Sequence, residues 1–492
     1  MKEFEQNDYA VNAETERRKT NRNAIISVLL AAVIVLMFFL GYYVRGISEP
    51  ESSQKINEII NIIDNASIYG SDKTADELAK SLVEQLRKNG DNYAKYYTPE
   101  EYKRVLEEDK GLYSGIGIAF DLSGAIAKVY LNSSAYKAGI KTGDRLIAGV
   151  YKEDVNVDET EKKFTNFAEK VIEENAETED SGDKDKKPEK SIFDIYSEFF
   201  AEFNAEEEFA VKIRRIEDDK ETEQELTLKK SNYIVSYVEY KDNEKYYYFS
   251  TEGDGFKGRE DDYTEFPDKK IDTLSSDTAY IKLYAFEGGA AEQFADALKF
   301  MKKQGKSKLI LDLRDNGGGI IDILLDIASY LITDENGSSI IKVMGVEEKS
   351  SLTRYNTSKN NFDSFLTDIS VIANCGTASA AEALIGALND YGDKDAFKGA
   401  AFNLDRLVLT QKHGERDTYC TYGKGIMQTT YELKSGGALM LTTAYIYWPL
   451  RLIGEDEEKN SFCVQDIGIE TNIEENQVTD AEAIARANEI LK

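Results

Sequence analysis

The first hydrophobic feature along the chain is residues 24–44, a run with no charged side chain. As a helix rising about 1.5 Å per residue it spans a hydrocarbon core of about 30 Å. Arg17, Arg18, Lys19 and Arg22 precede it, and Arg45, Glu49 and Glu51 follow. The excess of positive charge on the leading side predicts that residues 1–23 lie in the cytoplasm and everything after 45 outside it. The run is long for a cleaved signal peptide, and its exit, Gly-Tyr-Tyr-Val at 41–44, lacks a small-x-small cleavage site. A single-pass signal anchor in the cell membrane is therefore expected.

Beyond the anchor the apolar spacing is helical over 51–110. Ile56, Ile59, Ile60 and Ile63 share a face, and residues 75–87 repeat the pattern. Gly90 breaks it, and Pro99 opens a further short helix that ends near Lys110. The period then changes. A glycine-punctuated strand at 114–120, a second at 125–131, a short helix at 134–140 and a strand from 143 define a β domain that strands at 209–216 and 225–230 complete.

Residues 152–207 interrupt that domain with acidic sequence. Phe164, Phe167 and Val171 mark one amphipathic helix, and Ile192, Ile195, Tyr196, Phe199, Phe200 and Phe203 a stronger one. The segment between them, 174–189, is expected to be disordered. This is either an insertion the domain tolerates or a lid whose aromatic face covers a neighbouring cleft. From 278 onward strands (279–283, 308–313, 369–373) alternate with helices (290–301, 320–331, 379–388), the pattern of a largely parallel sheet covered by helices.

Composition narrows the chemistry. The 492 residues carry 91 acidic and 61 basic side chains, a net charge of -30, which repels phosphate backbones and argues against a nucleic-acid partner. A single histidine, His413, excludes a His-cluster metal site. Cys375, Cys420 and Cys463 fit no metal spacing and are read as ordinary buried thiols.

Three segments carry candidate chemistry. In 374–382, Asn-Cys-Gly-Thr-Ala-Ser-Ala-Ala-Glu, a strand ends and a helix begins at Ser379. There free backbone N–H groups and the positive end of the helix dipole favour an oxyanion; a plain N-cap serine is the simpler alternative. In 311–319, Leu-Asp-Leu-Arg-Asp-Asn-Gly-Gly-Gly, three glycines after a buried strand permit close backbone approach to a ligand, or only a tight turn. In 422–428, Tyr-Gly-Lys-Gly-Ile-Met-Gln, Lys424 sits between two glycines. A lysine base must be neutral, and burial in an apolar cleft brings its pKa down from about 10.4. Gln428 is placed to hold the amine, and a surface lysine is the alternative.

Together these segments resemble the carboxy-terminal processing peptidases (tail-specific proteases) of serine peptidase family S41. The Ser379 turn resembles the family's S-A-S-A-x-E motif with threonine at its first position, the block from Asp312 its D-L-R-x-N-x-G-G loop, and Gly423-Lys424-Gly425 with Gln428 its F-G-K-G-x-x-Q segment. The resemblance covers most of 51–492. It implies Ser379 as nucleophile, Lys424 as base, Gln428 as its orienter, Ala380 and Gly318 as oxyanion N–H donors within one glycine, and Asp390 either in the catalytic group or pairing at a helix end. It needs no metal or cofactor. The 111–150 region resembles a PDZ domain, in which Gly115, Ile116, Gly117 and Ile118 would cradle a peptide's C-terminal carboxylate.

The expected organisation is α+β and multidomain: a cytoplasmic tail (1–23), a transmembrane helix (24–44), a helical region (51–110), a PDZ-like β domain (111–230) with insertion 152–207, and an α/β peptidase domain of the ClpP/crotonase-like type (231–492). The expected partners are the membrane, through the N-terminal helix, and protein or peptide substrates taken through their C-terminal segments. A homo-oligomer is left open. Departures from the family pattern are the added segment 393–421, Tyr422 in place of phenylalanine, and a late motif reduced to 468–472. The rival readings are a catalytically silent PDZ scaffold that binds C-termini and a hydrolase built on His413.

Overall fold

A computed structural model describes residues 75–121, 123–152, 163–180, 190–217, 220–241, 246–250, 255–258, 274–334, 342–348, 351–357, 365–392, 397–399, 401–414, 416–449, 463–471 and 473–492. The chain divides into two compact units, Met1–Leu82 and Val83–Lys492. No helix among the described residues is long and apolar enough to cross a membrane; the expected anchor at 24–44 lies outside them.

Helix α1, Ala75–Lys88, precedes strand β1, Lys95–Tyr97, and helix α2, Pro99–Glu108. The latter begins where the sequence predicts. Thr98 accepts the Glu101 N–H (3.2 Å), the Glu101 carboxylate accepts the Thr98 N–H (2.8 Å), and Pro99 fills the first turn.

The β domain comprises β2 (Leu112–Gly115), β3 (Ile118–Phe120), β4 (Ile126–Val129), the short helix α3 (Ser134–Lys137), β5 (Arg145–Gly149), β6 (Thr165–Asn166), helices α4 (Phe167–Asp180) and α5 (Ile192–Ala201), β7 (Glu208–Glu217), β8 (Lys220–Lys229) and β9 (Ser231–Ile234). A four-stranded antiparallel sheet runs β6-β5-β7-β8, β3 pairs β4, and β2 pairs β9.

Among the described residues, the insertion's aromatic face is buried in this domain's own core and not held over a neighbouring cleft. Phe167, Ile195, Tyr196, Phe199 and Phe203 are buried in one cluster with Ile116, Ile126, Leu146, Phe209, Val211 and Ile213. Phe203 stacks on Phe209 with ring centroids 4.5 Å apart. A Cβ on Gly149 of β5 would meet the Phe199 ring at 2.5 Å, so the strand is bare where the helix packs. Aromatic rings at helical spacing satisfy themselves against the nearest open β core. Helix α4 continues to Asp180, into the stretch expected to be disordered, and Asn175 bonds both the backbone N–H and C=O of Lys190 (2.8 and 3.0 Å).

The remaining elements are β10 (Val238–Lys241), β11 (Tyr246–Ser250), β12 (Gly255–Gly258), β13 (Thr278–Leu283), α6 (Ala290–Lys303), β14 (Lys308–Asp312), α7 (Ile321–Leu331), β15 (Ile332–Asp334), β16 (Lys342–Glu348), β17 (Ser351–Asn356), β18 (Asp368–Ala373), α8 (Ala380–Tyr391), β19 (Phe397–Gly399), β20 (Leu407–Leu409), β21 (Lys412–His413), β22 (Thr418–Tyr419), β23 (Ile426–Glu432), β24 (Ala438–Tyr447) and α9 (Ala483–Ile490). A seven-stranded sheet runs β12-β11-β10-β13-β14-β18-β20, and its last four strands are parallel. Their alternate residues feed two layers. Ile281, Leu311, Val371 and Leu407 pack with α6, α7 and α8, while Tyr280, Ile310, Ile372 and Val408 pack with α9. A second sheet, β1-β24-β16-β17 with β23 on β24, carries the lysine segment.

Candidate active site

The Ser379 turn is built at the carboxyl end of β18. Asn374 N–H donates to Thr377 Oγ1 (3.0 Å), Thr377 Oγ1 donates to Leu313 O (2.7 Å), and Ala378 N–H donates to Asn316 O (2.9 Å). These bonds hold Ser379 at φ 57°, ψ −117°, a conformation that strains a non-glycine residue by on the order of 1–3 kcal/mol. Ala380 N–H follows as the first amide of α8, without an intrahelical acceptor.

The neighbouring loop is fixed by a buried ion pair. Asp312 at the end of β14 accepts from Arg314 Nη2 (2.6 Å) and Tyr280 Oη (2.7 Å). Burial works to raise its carboxyl, but the Arg314 guanidinium outweighs this and holds it down at about 2. These two residues brace the loop from beneath. Gly318 has φ 95°, and a Cβ there would stand 2.8 Å from Ala378 O and Ala380 N. Only glycine allows this approach to the Ser379 turn. Its own N–H is engaged, however, by Asn316 Oδ1 at 2.9 Å.

The lysine loop needs its glycines for a similar reason. A Cβ on Gly423 would meet Gly468 N at 2.8 Å, and one on Gly425 would meet Gln465 N at 2.6 Å, because the segment 463–468 presses on both. Burial pushes the Lys424 ammonium below the ordinary lysine range, with the Glu382 carboxylate pulling partly back.

Glu382 links the two halves. Fully buried on α8, its Oε2 accepts Ser379 N–H and Lys424 N–H, each at 2.9 Å. Its Oε1 accepts Gly423 N–H at 2.8 Å and Thr421 Oγ1 at 2.5 Å. Burial drives this carboxyl up, and the four donors oppose that. The sequence reading gave Glu382 no role. A glutamate three residues after a helix-capping serine signals the bond to Ser379, but not the bonds to residues some forty positions on.

Ser379, Ala380, Gly318, Lys424 and Gln428 all line one cavity of about 930 Å³. Asp390 does not join them. It is buried in the last turn of α8, roughly 16 Å along the helix from Ser379. Among the described residues no hydrogen bond joins Ser379 Oγ to Lys424 Nζ. Gln428 Nε2 donates to Thr442 Oγ1 (3.2 Å), not to the lysine, and Thr442 Oγ1 donates to Asp91 Oδ1 (2.7 Å). Lys424 Nζ lies 4.4 Å from the Tyr93 ring centroid. Asp91, Tyr93 and Thr442 are site residues that sequence reasoning missed. They carry no motif and arrive through the β1–β24 pairing.

His413 sits on β21 and faces Tyr422 edge-on, with ring centroids 6.4 Å apart. It lines a second cavity, of about 870 Å³, with Tyr93, Tyr422 and Asp466, and is not among the residues around Ser379. The three cysteines are unpaired.

A family model for peptidase family S41 matches residues 277–396, which hold the Asp312 block and the Ser379 turn. The chain carries an S41 peptidase domain. It is similar to carboxy-terminal processing peptidases beyond that span as well. A Staphylococcus aureus protein described as "Probable CtpA-like serine protease" is 23% identical over 425 residues, 85% of this chain and 66% of the relative. The chain thus spans slightly less than two thirds of that relative's length. A chloroplastic C-terminal processing peptidase of Tetradesmus obliquus is 32% identical over 170 residues, 35% of this chain and 31% of the relative. Among solved structures, the photosystem II D1 C-terminal processing protease gives a TM-score of 0.41 at 17% identity, covering 83% of each chain. A putative S41 protease from Bacteroides fragilis gives 0.44 at 13% identity, covering 86% of this chain and 92% of that one.

Proposed function

We propose that the chain is a membrane-anchored serine endopeptidase acting outside the cytoplasm. Ser379 Oγ attacks the scissile carbonyl carbon while Lys424 Nζ, as the neutral amine, accepts its proton. The oxyanion is met by Ala380 N–H and an amide of the 317–319 loop; if that amide is Gly318 N–H, it must first leave Asn316. Lys424 returns the proton to the leaving amine as the C–N bond breaks, and water then hydrolyses the acyl-enzyme.

The observation that carries this reading is the shared anchoring of Ser379 and Lys424 on Glu382 at the wall of one cavity. A fluorophosphonate probe should label Ser379, and Ser379→Ala and Lys424→Ala should each abolish cleavage of a peptide reporter. His413→Ala should keep most of it. Equal loss from His413→Ala and Lys424→Ala in folded variants would refute the Ser/Lys assignment.

The β domain acts in this reading as a PDZ module for substrate C-termini. The Ile116 and Gly117 N–H groups have no acceptor among the described residues, which supports a carboxylate cradle. The adjacent strand β2 reaches the catalytic cavity, since Tyr113 Oη donates to Glu287 Oε2 (3.4 Å) on its wall. C-terminal peptides should therefore stimulate reporter cleavage and saturate; no stimulation at any concentration would make the module a passive tether. The charge asymmetry around 24–44 supports the anchor, and protease added to intact cells should digest the bulk of the chain. The helix-covered parallel sheet agrees with the ClpP/crotonase-like type.

A further inference from the structure

One wall of the catalytic cavity comes from far upstream. The turn between residues 88 and 95 is fixed to the second sheet. Strand β1 pairs β24 in the register Lys95↔Met440. The Asp91 carboxylate accepts the Thr442 N–H (2.9 Å) and Oγ1–H (2.7 Å), as well as the Tyr93 N–H (3.3 Å). Burial works to raise this carboxyl, and the bonds outweigh it, leaving it below the ordinary aspartate range. Tyr93 thus stands on a rigid base. Its hydroxyl is hydrogen-bonded to Tyr422, two residues before Lys424, and its ring faces the Lys424 ammonium at 4.4 Å. It lines both cavities.

We propose that Tyr93 is a positioning residue for Lys424: its aromatic face holds the ammonium in the resting protein and must release it before the lysine can take the Ser379 proton. The inference rests on the Ser/Lys reading given above. A ring quadrupole attracts the ammonium but not the neutral amine, so this contact favours the form that cannot act as a base. The missing bond between Ser379 Oγ and Lys424 Nζ has its counterpart here: the amine is parked on the ring. The other charged or titratable groups around the lysine and the ring are Tyr422 on the lysine's own loop, Arg416, which donates to Tyr422 O, His413 of β21, Glu382 from α8, Cys463 and Asp466 from the 463–468 segment, Asp91 behind Tyr93, and Glu287 and Asp322 across the cavity. Of these Glu382 also favours the ammonium. Tyr93 itself stays protonated: burial, and then the bond with Tyr422, push its hydroxyl up to about 12.

The test reads the lysine directly. In full-length Ser379→Ala protein, the rate of Lys424 acetylation by acetic anhydride is followed against pH by peptide mass spectrometry. Tyr93→Leu should move the Lys424 titration to lower pH by about half a unit, and Tyr93→Phe, which keeps the ring, should leave it in place. Pentafluorophenylalanine at 93 keeps the ring's size and reverses its quadrupole, so it should act like Leu even if the leucine variant folds poorly. With Ser379 restored, the acid limb of kcat/KM should shift the same way, raising the rate below the limb about threefold. An unmoved or upward Lys424 titration in the Leu and pentafluoro variants, or equal shifts in Phe and Leu, would overturn the proposal. Failure of the Ser/Lys reading is distinct: Lys424→Ala would then retain cleavage whatever the labelling shows.

Discussion

Glu382→Gln replaces one oxygen of a buried four-donor acceptor with an NH2 group. If the amide nitrogen takes the place of Oε2, it confronts the Ser379 and Lys424 N–H groups, both of which donate at 2.9 Å. If it takes the place of Oε1, Thr421 can rotate its hydroxyl to accept, but Gly423 N–H is left facing a donor. Every orientation orphans at least one buried N–H, and each orphan costs about 1–3 kcal/mol. The less damaging orientation spares the bonds to Ser379 and Lys424, so the floor of the effect is about 1–3 kcal/mol of stability. Part of that cost is expected to be relieved by displacing the lysine loop. On the Ser/Lys reading proposed above, such a displacement moves Lys424 relative to Ser379, and kcat should fall by about 5- to 150-fold, the kinetic equivalent of the same energy. KM should change much less, because Glu382 does not itself line the cavity. Reporter-peptide kinetics and thermal unfolding on the same preparation make the measurement. A variant with wild-type kcat and an unchanged melting temperature would refute the linking role assigned to this carboxylate.

Further outcomes follow from the Lys424 environment and the β-domain core. Burial lowers the Lys424 pKa in the folded state, so between its folded and unfolded values the unfolded chain binds more protons and stability rises with pH. Lys424→Met should therefore stabilise the protein at neutral pH, with a gain that shrinks as pH approaches about 10.4; denaturant midpoints across pH check this, and a gain that grows with pH contradicts it. Phe199→Ala should cost about 3–5 kcal/mol because the ring is fully buried among Phe167, Phe203 and Phe209; a loss under about 1 kcal/mol by denaturant unfolding would mean that the insertion is not part of the core.

Where the sequence was read well, the physics is local. The parallel strands announce themselves as short apolar runs because both faces are covered, as at Leu309–Leu311 and Ile369–Ala373. Helix α2 is legible from Thr98, Pro99 and Glu101 alone. The glycines at 318, 423 and 425 are legible as close approaches, though not what approaches them. The insertion was harder, because aromatic residues at helical spacing specify a buried face but not the partner. Only the tertiary structure shows that Gly149 leaves room for Phe199. Asp390 shows the limit of sequence distance: eleven residues from Ser379 become a whole helix in space, which puts it at the helix end, one of the two places the sequence left open. Strand β1 is three residues long, and its pairing with β24, some 340 positions on, has no local trace.

The anchoring on Glu382 limits how the site can become active. Ser379 and Lys424 amides bond to the same oxygen, so their nitrogens lie at most about 6 Å apart, twice 2.9 Å. Neither backbone segment can swing away without breaking a buried bond to that carboxylate. On the Ser/Lys reading proposed above, Lys424 therefore does not arrive by closure of its loop; its flexible four-carbon stem can bridge such a distance by changing rotamer. What must yield is whatever holds the amine elsewhere, and among the described residues the Tyr93 ring, mounted on Asp91 and Thr442, is in contact with it. Substrate binding needs only to favour the swung-in lysine over the parked one. A cation–π contact of about 0.5–2 kcal/mol is within reach of a few enzyme–substrate hydrogen bonds formed in the swung-in state alone.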